Sequence, residues 1–167
     1  MPARLSTRRY LSSPEDTAAL ARAIAPLLQP GDTLLLDGQI GAGKTHFARA
    51  LIQARLAAAG MLEDVPSPTY TIVQTYDDGV AEIWHADLYR LNDPQETHEL
   101  GLAEAFDHAI CLVEWPDRLG ASAPASAMRL TFMPGKEDNQ RDLTIEADAP
   151  RWNELLTALT VPAEETP

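Results

Sequence analysis

The sequence predicts an α/β sandwich, a mixed β-sheet flanked by helices, and three observations carry that expectation. Two short, almost wholly apolar runs, Thr33-Leu-Leu-Leu-Asp37 and residues 109–114, read as strands buried on both faces. Amphipathic stripes before and after the first run have helical spacing and could cover it. Two further pairs of runs carry hairpin signals, so antiparallel strands must join a sheet that crossover helices make parallel.

In chain order, a short strand is expected over residues 5–11. Ser13 then offers a helix N-cap, Pro14 suits the first helical position, and Glu15 and Asp16 favour the positive helix start. Leu20, Ala23, Ile24, Leu27 and Leu28 form the apolar stripe, weakened at Pro26 and ended by Pro30-Gly31. After the strand at 33–37 comes glycine-rich sequence, then a second stripe of Phe47, Ala50, Leu51, Ala54 and Ala58, closed by Gly60. The runs 70–76 and 80–88 flank Asp77-Asp78-Gly79 and predict a hairpin. Asn92-Asp93-Pro94 opens a short helix ending near Gly101, with a second over 102–107. The buried strand at 109–114 stops at Trp115-Pro116, residues 127–133 and 141–147 form a late hairpin, and a last helix over 150–159 turns Trp152, Leu155, Leu156 and Leu159 to one side.

A chain of 167 residues suits one domain, taken as residues 1–160, and the Pro/Glu/Thr-rich tail at 161–167 is expected to be disordered. The lone Cys111 sits in an apolar run and reads as a small buried hydrophobe. With one cysteine and no apolar stretch near the roughly 20 residues that span a bilayer, a cytoplasmic protein is expected. A formal net charge of −12 argues against nonspecific binding to a phosphate backbone, so any nucleic acid would be held by a partner.

Gly38-Gln39-Ile40-Gly41-Ala42-Gly43-Lys44-Thr45 matches G-x-x-x-x-G-K-[ST] in full, between an apolar strand and an amphipathic helix. Glycines let the backbone N–H groups curl inward into a concave anion site at a helix start, Lys44 can reach the β- and γ-phosphates, and the Thr45 hydroxyl can ligate Mg2+. The sequence thus predicts binding of a nucleoside triphosphate with magnesium. The metal also needs a carboxylate at the end of a neighbouring strand; Glu114 is preferred, and Asp87, ending Ile83-Trp-His-Ala-Asp87, stays open as the alternative. His46, His85, His98 and His108 lack zinc-site spacing, and no transition metal is assigned. Trp84, Trp115 and Trp152 read as packing residues, although Trp115 beside Glu114 is also a candidate sensor of the site. A guanine-reading N-K-x-D is missing, which disfavours a GTPase, and a small-molecule kinase would usually bring an arginine-rich lid that is not visible.

Four ordered blocks are more specific than the glycine loop alone: Gly41-Ala-Gly-Lys-Thr45, Ser67-Pro-Thr-Tyr-Thr71, His85-Ala-Asp-Leu-Tyr-Arg-Leu91 and Ile110-Cys-Leu-Val-Glu-Trp-Pro116. Through them the chain resembles the TsaE (YjeE) family, P-loop ATPases of tRNA threonylcarbamoyladenosine (t6A) synthesis, over about residues 10–147. The resemblance implies a P-loop NTPase-like sandwich and an ATPase accessory that supports threonylcarbamoyl transfer to an adenosine beside the anticodon. It also implies TsaD and TsaB proteins as partners, with the transfer chemistry belonging to TsaD and tRNA met only through them.

Carried over by position, the resemblance implies ATP contacts at Gly38, Gly41, Ala42, Gly43, Lys44, Thr45 and His46, and magnesium at Thr45 and Glu114. Lys44, Thr45, Asp87 and Glu114 are the implied catalytic set; Asp87 matches the family's acidic residue after the second hairpin strand. Thr69 belongs to a switch-like segment, Thr17 to a nucleotide contact at the start of the first helix, and Arg141 to a basic residue near the nucleotide on the late hairpin. The family commonly has Asp where this chain has Gln39 and often Thr where it has His46, which implies altered electrostatics around the phosphates. An independent small-molecule kinase, and a nucleotide-binding module that does not hydrolyse, remain alternatives, separated by what receives the γ-phosphate.

Overall fold

The computed structural model describes residues 5–61, 63–68 and 71–160; Thr69, Tyr70 and the tail expected to be disordered at 161–167 lie outside them. The elements are β1 (Leu5–Leu11), α1 (Pro14–Ile24), β2 (Thr33–Gly38), α2 (Lys44–Ala58), β3 (Val73–Asp77), β4 (Glu82–Asp87), α3 (Gln95–Glu99), α4 (Leu102–His108), β5 (Ile110–Glu114), β6 (Met128–Pro134), β7 (Arg141–Ala147) and α5 (Asn153–Thr160). Among the described residues the strands form one seven-stranded mixed sheet ordered β1-β7-β6-β2-β5-β4-β3. β6, β2, β5 and β4 run parallel, while β3 adds antiparallel at one end and β7 and β1 at the other. Among the described residues no helix is long and apolar enough to cross a membrane.

Alternation along the central strands divides the core. Leu34, Leu36, Ile83, Leu112, Leu130 and Phe132 face Ile24, Phe47 and Leu51 of α1 and α2. Leu35, Ala86, Cys111 and Val113 face Leu102 and Ala105 of α4 on the opposite side. Cys111 is buried as expected, and burial pushes its thiol up to about 12, which leaves it unreactive at neutral pH.

Both helical stripes are displaced from the expected ones. In α1 the buried residues are Thr17, Ala18, Leu20, Ala21 and Ile24, while Ala23 and Leu27 are exposed. Small side chains at 18 and 21 allow α2 to pack closely, and Pro26 turns the chain into a 3-10 segment, Ala25–Leu27, that swings Leu27 outward. In α2, Ala48, Ile52, Arg55 and Leu56 are buried with Phe47 and Leu51, Ala50 and Ala54 are half-buried, and Ala58 is exposed. Burying Ile52 and Leu56 gains about 1.5–3 kcal/mol each, far more than burying alanines, and so sets the rotation of the helix. The hairpin β3–β4 is shorter than its runs, since Ile72 has a positive φ of 70° that ends the extended stretch. The last helix begins as a 3-10 turn, Pro150–Trp152, and its four expected core residues are all buried.

Arg55 of α2 is a buried cation. Its Nε donates to Asp78 Oδ2 at 2.7 Å and its Nη1 to the carbonyl of Ala25 at 2.7 Å, tying α2 to the end of α1 and to the β3–β4 turn. Burial alone would raise the Asp78 carboxyl, but N–H groups of Ala81 and Val80 together with Arg55 outweigh it and hold it low. The contribution is therefore present above the ordinary carboxylate range and is lost as pH falls through the lowered value. Arg55→Met should destabilise the fold by about 3 kcal/mol, since it leaves a buried carboxylate without its cation. Urea unfolding should show a lower midpoint at unchanged slope.

Candidate functional site

Parallel pairing of β2, β5 and β4 brings their C-terminal ends to one edge of the sheet, where ligands of open α/β sheets bind. Gly38 ends β2 with φ 147°, and a Cβ there would stand 2.8 Å from the carbonyl oxygen of Phe132, so only glycine lets the loop leave the sheet here. The loop re-enters at Gly43, the N-cap of α2, whose φ of 108° aims the chain into the helix. Residues 40–46 then line a cleft of about 460 Å³ with Asp87, Tyr89, Glu114 and Trp115.

Lys44 occupies the first turn of α2 and is only 4% exposed. Its Nζ donates to the carbonyl of Gly38 at 2.5 Å and lies 3.6 Å from the centre of the Trp115 ring. Burial lowers its pKa, and the carboxylates of Glu114, Asp87, Asp37 and Asp117 oppose that shift. The ammonium is thus held in the cleft by a carbonyl dipole and an aromatic face, both weaker partners than a phosphate.

Glu114 and Asp87 are register partners on β5 and β4, so their side chains leave the same face of the sheet side by side. Glu114, 2% exposed, accepts from the Thr45 hydroxyl at 2.7 Å through Oε1 and 2.9 Å through Oε2, and its Oε2 lies 2.7 Å from Nε2 of His85. Asp87 accepts from the N–H of Tyr89 at 3.0 Å. Trp115 sits directly after Glu114 with φ 59°, an uncommon conformation for a bulky residue, and Tyr89 packs on it with ring centroids 4.8 Å apart.

The other sequence-derived candidates take different places. His46 lines the cleft, and its Nε2 meets the carbonyl of Pro14 at 2.9 Å, linking the loop to the start of α1. Thr17 is buried one turn into α1 and does not line the cleft. Thr69 falls outside the described residues. Arg141 does reach the loop, but it braces main chain: Nε donates to the Ala42 carbonyl and Nη2 to that of Gly41, both at 2.9 Å, while Nη1 holds the carbonyls of Asp138 and Gln140. Arg141→Met should free the loop. Losing the two loop bonds at about 1 kcal/mol each predicts roughly thirtyfold faster amide exchange at Ala42, read by hydrogen–deuterium exchange.

The sequence assigns His85 no role beyond that of a surface or core histidine and reads Trp115 chiefly as a packing residue, and both touch the site's charged groups. The signal for His85 was its place two residues before Asp87 on a strand, which puts both on one face. For Trp115 the signal was its place directly after Glu114, but its approach to Lys44 depends on a backbone turn, φ 59°, that no local residue announces.

A mixed seven-stranded sheet with this loop at its parallel edge defines the class. The crystal structure of YdiB from Bacillus subtilis superposes with a TM-score of 0.74 at 31% identity, covering 95% of each chain. A family model described as threonylcarbamoyl adenosine biosynthesis protein TsaE matches residues 11–143. The protein named tRNA threonylcarbamoyladenosine biosynthesis protein TsaE from Bacillus subtilis (strain 168) is 36% identical over 149 residues, 89% of this chain and 90% of its own length. The protein of the same name from Rickettsia bellii is 40% identical over 113 residues, 68% of this chain and 76% of its own. The chain belongs to the TsaE family.

Proposed function

We propose that this protein binds ATP with Mg2+ in the cleft and hydrolyses it as the ATPase accessory of t6A formation, acting with TsaD and TsaB. The convergence of Lys44 Nζ, the Thr45 hydroxyl and the Glu114 carboxylate at the mouth of the glycine loop carries this reading. A hydroxyl and adjacent carboxylates form the hard oxygen set that Mg2+ prefers, and the open N-terminus of α2 suits an anion, so the residues fit both groups. Thr45 and Glu114 would hold the metal, with Asp87 beside them. Bound Mg2+ would supply neutralisation of phosphate charge.

The chain's own residues do the remaining work. Lys44 exchanges the Gly38 carbonyl and the Trp115 face for phosphate oxygens, while loop N–H groups supply further donors. Arg141 keeps the loop's carbonyls turned away from the phosphates by binding them from behind. Among the described residues lining the cleft none is an arginine, and apolar Ile40 and Tyr89 at its rim are 71% and 43% exposed. Both features suit a site that a partner covers and completes, and TsaD and TsaB are the partners we assign to it.

Hydrolysis by the isolated protein should therefore be slow, and adding TsaD and TsaB should raise it strongly; an arginine delivered in trans can contribute about 10³–10⁵ in rate. Steady-state phosphate release with and without those partners checks this. A solitary rate within about 1–10³ s⁻¹ that partners leave unchanged would contradict it, and γ-phosphate recovered on a metabolite instead of in water would point to a kinase.

A further inference from the structure

We propose that His85 is the positioning residue of this site: its Nε2–H fixes one oxygen of Glu114, so that the carboxylate is presented to Thr45 and to the metal in a single orientation. The inference rests on the metal–nucleotide reading above. His85 is 0% exposed, in the middle of β4, and its neighbours on that face of the sheet include Ile83 and Leu112. Its Nε2 lies 2.7 Å from Glu114 Oε2, while Nδ1 is buried with no hydrogen-bond partner.

An unpartnered buried polar atom costs about 1–3 kcal/mol. A leucine at this position would match its apolar neighbours without that cost, so packing alone gives no reason for an imidazole. What the imidazole adds is the bond to Glu114. A carboxylate only accepts, so the proton of that bond sits on Nε2. Glu114 has a flexible side chain, and the single Thr45 hydroxyl proton can go to either of its oxygens, at 2.7 and 2.9 Å, so Thr45 alone does not choose between them. The His85 bond to Oε2 removes that freedom and leaves Oε1 facing Thr45. Hydrogen bonds of this kind behind a metal-binding carboxylate are typically worth 10- to 100-fold in metal affinity.

The test compares wild type, His85→Leu, which removes the donor, and His85→Gln, whose amide nitrogen can reach the same carboxylate oxygen. Mn2+ affinity of the protein–ADP complex is read from the EPR signal of free Mn2+, and ADP affinity is read separately in EDTA. We expect His85→Leu to weaken Mn2+ binding 10- to 100-fold with metal-free ADP affinity unchanged within about twofold, and His85→Gln to recover most of the loss. Wild-type Mn2+ affinity in His85→Leu, or a His85→Gln as poor as His85→Leu, would overturn the proposal and leave the metal–nucleotide reading intact. Failure of the wild-type protein–ADP complex to take up Mn2+ would sink both. If His85→Leu does not fold, 15N NMR of the wild-type imidazole decides: a one-bond N–H coupling at Nε2 supports the assignment, and a proton found on Nδ1 with none on Nε2 overturns it.

Discussion

Lys44→Ala should lower ATP affinity by about 100-fold in a calorimetric titration. A hydrogen bond between a charged donor and a charged acceptor contributes about 1.5–3 kcal/mol, and the upper end applies because the ammonium is buried. The loss is not larger, since binding must first release Lys44 from Gly38 and Trp115. A pH signature accompanies it. Burial lowers the pKa of Lys44 in the free protein, and a triphosphate would raise it again, so binding takes up a proton. ATP affinity of the wild type should therefore fall as pH rises through the lowered value in the free protein, and Lys44→Ala should lose that dependence. Equal affinity in variant and wild type would show that the ammonium does not meet the nucleotide.

Glu114→Gln should reduce magnesium-dependent turnover by roughly 100-fold or more, because a bound metal supplies several kcal/mol of charge stabilisation. ATP affinity in EDTA should hold or rise, since one negative charge leaves the phosphate site. Asp87→Asn should have the smaller metal-specific effect: Glu114 bonds to Thr45 directly, whereas Asp87 caps the turn at Tyr89. Titrating Mg2+ against turnover in both variants separates the two carboxylates. A metal-specific defect confined to Asp87→Asn would transfer the principal role to that residue.

The glycine loop, Thr45, Glu114 and Asp87 were legible in the sequence because each sits at a fixed offset from the end of an apolar run, and parallel pairing then brings those ends together. Strand and helix positions were legible for the same reason: Ser13, Pro14 and Pro26 act on their own neighbours, whatever the rest of the chain does. Pairing was not. That β1 joins β7, and that β6 lies parallel to β2 as well as in a hairpin, depends on contacts far apart in sequence with no local residue to announce them. The displaced stripes of α1 and α2 have a similar cause, since alanines satisfy a helical pattern at several rotations and packing chooses among them. Side-chain roles were legible in type but not in partner. Arg141 was placed near the loop through resemblance, yet only the structure directs its donors to the carbonyls of Gly41 and Ala42.

The central claim, that a nucleoside triphosphate with its metal occupies the cleft between the glycine loop and the β4–β5 carboxylates, is tested most directly by titrating ATP and Mg2+ into 15N-labelled protein and mapping the amide shifts. The account predicts saturable changes centred on residues 38–46, with a second group at Asp87, Glu114 and Trp115 and a change at the Trp115 indole N–H as Lys44 leaves its ring. Shifts concentrated elsewhere on the protein, or none at millimolar ATP with Mg2+, would contradict it.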